Sequence, residues 1–283
     1  MRIRQILGFF PTVPDPVTED VLEGCTTLAQ ILGAHLTVQL PQLTGDSSRW
    51  IPVAGEFPLS FPALMNEMVL RSETNALATS RRLEALCRDA GVSLDLRRSL
   101  ALLFGSTLPL IDLARLHDLV VLPAPEPEPF GTPYIQEIIF SGGHPAVVLP
   151  LHGKTLSRLD TVLIAWDYSR EAARALSDAM PLLEKARHVH VVIVLGEKGL
   201  QTTSTESDLD KFLSSHGLTY TIHRPTLDRE NTIGGLLLRT ADELSADMLV
   251  MGAYGHSRAL EFVLGGATRE VLKAPTLPVF LSR

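Results

Sequence analysis

The run Asp247-Met248-Leu249-Val250-Met251-Gly252-Ala253-Tyr254-Gly255 is followed, nine residues on, by Gly265-Gly266-Ala267-Thr268-Arg269-Glu270-Val271-Leu272. The apolar stretch before Gly252 reads as a buried parallel strand. The segment from Thr268 reads as a helix. Glycines at a strand end and at a helix start let backbone N–H groups come close to a phosphate. The unpaired N–H groups of a helix start favour an anion there. The carboxy-terminal half is therefore expected to hold a nucleotide. The pattern is neither a GxxxxGK[ST] loop nor a GxGxxG after a first strand.

The chain repeats one unit twice. Arg4-Gln5-Ile6-Leu7-Gly8-Phe9-Phe10 corresponds to Asp160-Thr161-Val162-Leu163-Ile164-Ala165-Trp166. Each is followed by a helix pattern and then a second apolar strand, His35 to Leu40 in one copy and Val189 to Leu195 in the other. Leu116-His117-Asp118-Leu119-Val120-Val121-Leu122 parallels Ser245-Ala246-Asp247-Met248-Leu249-Val250-Met251. Ala146-Val147-Val148-Leu149 parallels Pro278-Val279-Phe280-Leu281. In the first copy Asp15 is the expected helix N-cap, with Pro16 at the first helical position and Gly33 as C-cap. In the second copy Ser169 is the cap, and Ala172, Leu176, Ala179 and Leu183 share one face. The order β-α-β-α-β-α-β-α-β in both copies predicts an α/β fold. Two tandem, open, five-stranded parallel-sheet domains with helices on both faces are expected, spanning 1–152 and 153–283. The copies differ in the middle, where Pro41 to Pro62 is rich in Pro, Gly and Ser. A lid, a partner surface and local disorder are all compatible with that 42–61 loop.

Composition narrows the function. Of 283 residues, 45% are hydrophobic and 20% charged, with a net charge of −7, as in an ordinary globular protein. A nucleic-acid binder would carry a basic stripe, and none is visible. No stretch approaches the length of a membrane helix, so a cytoplasmic protein is expected. Cys25 and Cys87 fall in helix patterns and read as buried structural thiols. His188 and His190 alternate on a strand, where a surface role outweighs a metal site.

In an open parallel sheet, ligands bind beyond the carboxyl ends of the strands, where the strand order reverses. That point lies between the first and fourth strands of each unit. In the second unit it brings Asp167 beside the glycine loop. An Asp there can accept from a ribose hydroxyl or a base amine, or simply make a turn before Ser169.

Gly252-x-x-Gly255, nine residues, then Gly265-Gly266-Ala267-Thr268, behind a first strand ending in Asp167, resembles the universal stress protein (UspA-like) family. Lys273 to Leu281 is similar to that family's last strand. The resemblance covers the chain as two tandem domains of the adenine-nucleotide α-hydrolase-like class. It implies ATP or another adenine nucleotide (ADP, AMP), with Mg²⁺ as an accompanying ion. It implies that Asp167 meets the ribose or adenine and that Val194 touches the adenine. Gly252, Gly255, Gly265 and Gly266 would hold ribose and phosphates, with Ala267 and Thr268 opening the helix behind them. The family carries Ser or Thr directly after the third glycine, and Gly266 stands there instead, which weakens triphosphate contact. The family also pairs its last strands, so an intramolecular pseudo-dimer is expected and a homodimer is compatible.

The first unit departs from the pattern. Pro123-Ala124-Pro125-Glu126-Pro127-Glu128-Pro129 replaces the glycine loop, and proline has no N–H to offer. Ile135 to Ile139 lacks the glycine pair, and Phe9-Phe10-Pro11 carries no Asp. This half is expected to bind no nucleotide. No nucleophile–base pair or paired carboxylates stand beside the glycine loop, so catalysis beyond slow ATP hydrolysis is not expected. The alternatives are an interaction module without nucleotide and, less favoured, an adenylating enzyme of the same superfamily.

Overall fold

The computed structural model describes residues 2–43, 61–101, 107–125, 133–194, 205–227, 232–253 and 266–283. The first half runs β1 Gln5–Phe9, α1 Glu19–Leu32, β2 His35–Leu43, α2 Phe61–Ala90, β3 Leu94–Ala101, α3 Leu108–Ala114, β4 Leu119–Pro123, α4 Pro133–Ser141 and β5 Ala146–Leu149. The second runs β6 Thr161–Ala165, α5 Arg170–Leu183, β7 His188–Val192, α6 Glu206–Ser215, β8 Tyr220–His223, α7 Ile233–Glu243, β9 Met248–Gly252, α8 Gly266–Lys273 and β10 Val279–Ser282. The repeated β/α alternation is thus realised in both halves. Among the described residues no helix is long and apolar enough to cross a membrane.

The strands form one ten-stranded sheet in the order β3-β2-β1-β4-β5-β10-β9-β6-β7-β8. Every neighbouring pair is parallel except β5 and β10, which run antiparallel with Val148 opposite Val279 and Ala146 opposite Leu281. The last strands therefore pair, as the resemblance implied. Strand residues alternate between two cores, because successive side chains point to opposite faces. Ile6, Val147, Val162, Val191 and Phe280 join α1, α2, α5 and α6 on one face. Leu7, Val148, Leu163, Val192 and Val279 join α3, α4, α7 and α8 on the other.

One helix start differs from the sequence reading. α1 begins at Glu19, not Pro16, and Thr18 is its N-cap with φ −67° and ψ 156°. The helix opens instead on the acidic pair Glu19 and Asp20, whose charge suits the first turn of a helix. Gly33 closes the helix with φ 60°, as its freedom from a Cβ allows.

The repeat extends to a carboxylate clamp, buried in the second half. Asp118, at the foot of β4, accepts from the backbone N–H groups of Arg4 (2.7 Å) and Gln5 (3.0 Å). Asp247, at the foot of β9, accepts in the same way from Asp160 (2.8 Å) and Thr161 (2.9 Å). Each carboxylate thereby fixes the register of a first strand against a fourth. The second clamp carries an extra tie, because Lys154 Nζ lies 2.8 Å from Asp247 Oδ1 and donates to the carbonyls of Ser245 and Ala246. Burial alone would raise the Asp247 carboxyl. Lys154 and the two backbone donors outweigh it and hold the group below its ordinary value.

A carboxyl depressed in the folded state contributes stability above its unfolded pKa and loses it on acidification. Asp247→Asn is expected to cost about 1–3 kcal/mol at neutral pH. The difference from wild type shrinks as pH falls below about 4. Urea denaturation across pH checks both statements.

Candidate functional site

The strand order reverses between β6 and β9, which are hydrogen-bonded neighbours. A cavity of about 310 Å³ opens at their carboxyl ends. Its floor comes from Ala165, Trp166 and Asp167 at the end of β6 and from Met251 and Gly252 at the end of β9. Val192 and Val194 form one apolar wall, and Ile233 and Leu237 of α7 add to it. The amino end of α8 closes the cavity with Gly266, Ala267 and Thr268, and the first turn of α5 brings Glu171 and Ala172.

The structure thus gathers Asp167, Val194, Gly252, Gly266, Ala267 and Thr268 around one cavity. Gly255 and Gly265 lie outside the described residues, as do His256, Ser257 and Arg258.

Local chemistry fixes the floor. Asp167 Oδ1 accepts from the Ser169 N–H at 2.9 Å, and Ser169 Oγ accepts from the Ala172 N–H at 3.0 Å. The second bond caps α5 as the sequence suggested. Between them Tyr168 sits at φ 59°, a left-handed conformation uncommon outside glycine. The turn reading of Asp167 is therefore realised, and the same residue also lines the cavity. Trp166 stacks edge-on against Tyr168, with ring centroids 5.6 Å apart. Among the described residues its Nε1 is buried without a hydrogen-bond partner.

The two described glycines do different work. A Cβ on Gly252 would lie 2.6 Å from the backbone carbon of Glu171 and 2.7 Å from the backbone nitrogen of Ala172. Gly252 is therefore demanded by the close packing of β9 on the first turn of α5, a role the sequence did not reveal. Among the described residues a Cβ on Gly266 meets nothing within 4 Å. Gly266 lines the cavity at the amino end of α8.

Sequence reasoning also missed Glu171. Its side chain is 13% exposed and pairs at 3.0 Å with Arg170, itself 78% exposed. An acidic residue in a helix's first turn signals only dipole compensation, so nothing local marked it as part of a cavity. Trp166 and Val192 were missed because a wall residue carries no motif.

The equivalent place in the first half carries larger side chains. Phe9 and Tyr134 stand where Ala165 and Ala267 stand in the repeat, and their rings meet edge to face at 5.0 Å. Phe10 is fully buried, and Pro123 closes β4 where Gly252 closes β9. Glu126 to Gly131 lie outside the described residues.

Substitutions separate the two glycine roles. Gly252→Ala is expected to lose about 1–3 kcal/mol, since backbone must move to admit the methyl group. Gly266→Ala leaves stability unchanged or slightly raises it, because alanine is the better helix former. Thermal or urea unfolding of the two variants checks the contrast.

Comparison with known proteins now bears on this geometry. The sequence model of the universal stress protein family matches residues 158–283. Universal stress protein Slr1230 of Synechocystis sp. (strain ATCC 27184 / PCC 6803 / Kazusa) is 26% identical over 152 residues, 53% of this chain. The chain's match spans 50% of that relative's length. Among solved structures, a universal stress protein from Archaeoglobus fulgidus DSM 4304 superposes with a TM-score of 0.66 at 18% identity, covering 98% of both chains. A functionally unknown protein from Pseudomonas aeruginosa PAO1 superposes with a TM-score of 0.58 at 17% identity, covering 99% of this chain and 92% of its own. These likenesses establish the fold across both halves. Residues 158–283 match the sequence model of the universal stress protein family, and the whole chain shares its fold with a solved universal stress protein.

Proposed function

We propose that the second half binds an adenine nucleotide in the cavity between β6 and β9, and that the first half does not. The observation that carries this reading is the cavity itself, placed at the strand-order switch and lined by six of the residues named from sequence. The donor set fits the ligand. Val192, Val194, Leu237 and Met251 offer flat apolar contact to a base. Asp167 offers a carboxylate to a ribose hydroxyl or an exocyclic amine. The amino end of α8, open over Gly266, offers backbone donors to a phosphate.

Glu171 refines the choice among adenine nucleotides. Its carboxylate lines the same cavity, and its partner Arg170 is largely exposed, so the pair is only partly self-neutralising. With glycine rather than a hydroxyl residue at 266, the site favours adenosine and AMP over ATP. The bound nucleotide acts as a signal for a stress-response or regulatory role. A cytoplasmic location and assembly into homodimers accord with that role.

The reading is tested by calorimetric titration with adenosine, AMP, ADP and ATP, the last with and without Mg²⁺. Binding of at least one at micromolar to low millimolar concentration is expected, with adenosine or AMP ahead of ATP. Ala267→Tyr places in this cavity the ring that Tyr134 places in the first half. It is expected to weaken binding about tenfold or more while the protein stays folded. Binding of none of the four ligands by the wild type overturns the proposal. Unchanged affinity in folded Ala267→Tyr moves the site elsewhere.

A further inference from the structure

Strand β7 presents His188, His190 and Val192 on one face, because alternate residues share a face. β8 lies beside it in parallel register, with His190 opposite Thr221 and Val192 opposite His223. That register brings a third imidazole, from position 223, into the row the sequence had begun. His190 Nδ1 and His223 Nε2 are 2.9 Å apart. The His188 and His190 rings lie 4.5 Å apart, and the His190 and His223 rings 5.0 Å. His188 Nε2 is 2.9 Å from Thr221 Oγ1, which anchors that ring. Val192 belongs to the cavity wall, so the row begins at the cavity and runs toward the amino end of β7.

We propose that His190 and His223 form a binding site for a divalent late transition-metal ion, with Cu²⁺ and Ni²⁺ the best match. Metal–imidazole bonds run about 2.0–2.1 Å, so two ligands at a right angle hold their nitrogens about 2.9 Å apart. Right-angled nitrogen ligation is the square-planar or tetragonal arrangement of Cu²⁺ and Ni²⁺. A tetrahedral zinc ion needs a separation of about 3.3 Å. The two rings now share one proton between the facing nitrogens. For an ion to enter, the donating ring carries its N–H on its outer nitrogen, and each ring turns so that its lone pair leaves the N···N line and points at the metal. That change of tautomer requires no net loss of a proton. Among the described residues no group of three His, Cys, Asp or Glu side chains is arranged to hold a metal ion. The proposed site has two imidazoles as its protein ligands, and water completes the coordination. His188, stacked on His190 and anchored on Thr221, is a positioning residue.

The test is calorimetric titration of the full chain with CuSO₄ and with NiCl₂ in a non-coordinating buffer. One equivalent is expected to bind with a micromolar dissociation constant. His190→Ala and His223→Ala are each expected to weaken binding about tenfold or more, and His188→Ala by less. A measurement on the wild type guards against misfolded variants. Substoichiometric Cu²⁺ is expected to broaden the imidazole resonances of His190 and His223 before those of His35, His117, His144 or His216. The proposal is overturned by no binding at micromolar metal. It is equally overturned by full affinity in both alanine variants, or by broadening that begins at another histidine.

Discussion

The antiparallel pairing of β5 with β10 is the contact on which the rest depends. Each half alone would end its sheet in a short strand with unpaired N–H and C=O groups, an edge open to other chains. Pairing the two covers both edges at once. It also makes each core continuous across the join, since Val147 and Phe280 enter one apolar layer while Val148 and Val279 enter the other. The segment between the halves reinforces this. The Lys154 N–H donates to the Thr276 carbonyl at 2.8 Å, and Gly153, at φ 138°, passes so close to Thr276 that a Cβ would meet its oxygen at 2.5 Å.

An antiparallel join between two parallel half-sheets has a geometric consequence. The carboxyl ends of the strands in one half point opposite to those in the other. The two strand-order switch points therefore open on opposite edges of the sheet and share no wall. One can be filled without disturbing the other. The first half uses that freedom: Phe9 and Tyr134 occupy its switch point with aromatic rings, where Ala165 and Ala267 leave space in the second. Proline at 123, in place of Gly252, removes a donor from the same place.

The fold was largely legible because its signals are local. Continuous apolar runs and period-three-to-four helix patterns gave the element order, and Ser169 and Gly33 behaved as caps in the structure as in the sequence. The start of α1 was misread because Asp15-Pro16 mimics a cap, while Thr18-Glu19-Asp20 forms the actual start. At the candidate site, Gly252, Gly266 and Asp167, which line the cavity, stood out in the sequence because each has a backbone or polar signature. Glu171 was not, since its place in the cavity follows from Gly252 letting β9 approach α5, a contact across 81 residues of chain. Gly252 itself was read as a phosphate contact, and its packing role appears only once α5 is in place.

The histidine row shows the same boundary between local and non-local information. His188 and His190 declare their common face through spacing alone. Nothing in the spacing connects them to His223, because which residue of β8 lies beside β7 depends on the register of two strands separated by α6. A slip of one residue in that register would turn His223 to the opposite face and leave Arg224 or Ile222 in its place. The register is set on the other side of the sheet, where Val189 and Val191 pack into the core with Tyr220 and Ile222 against it. Apolar burial on one face thus dictates which polar groups meet on the other. The same logic governs the cavity, whose polar floor is positioned by strands that are held together through their buried neighbours.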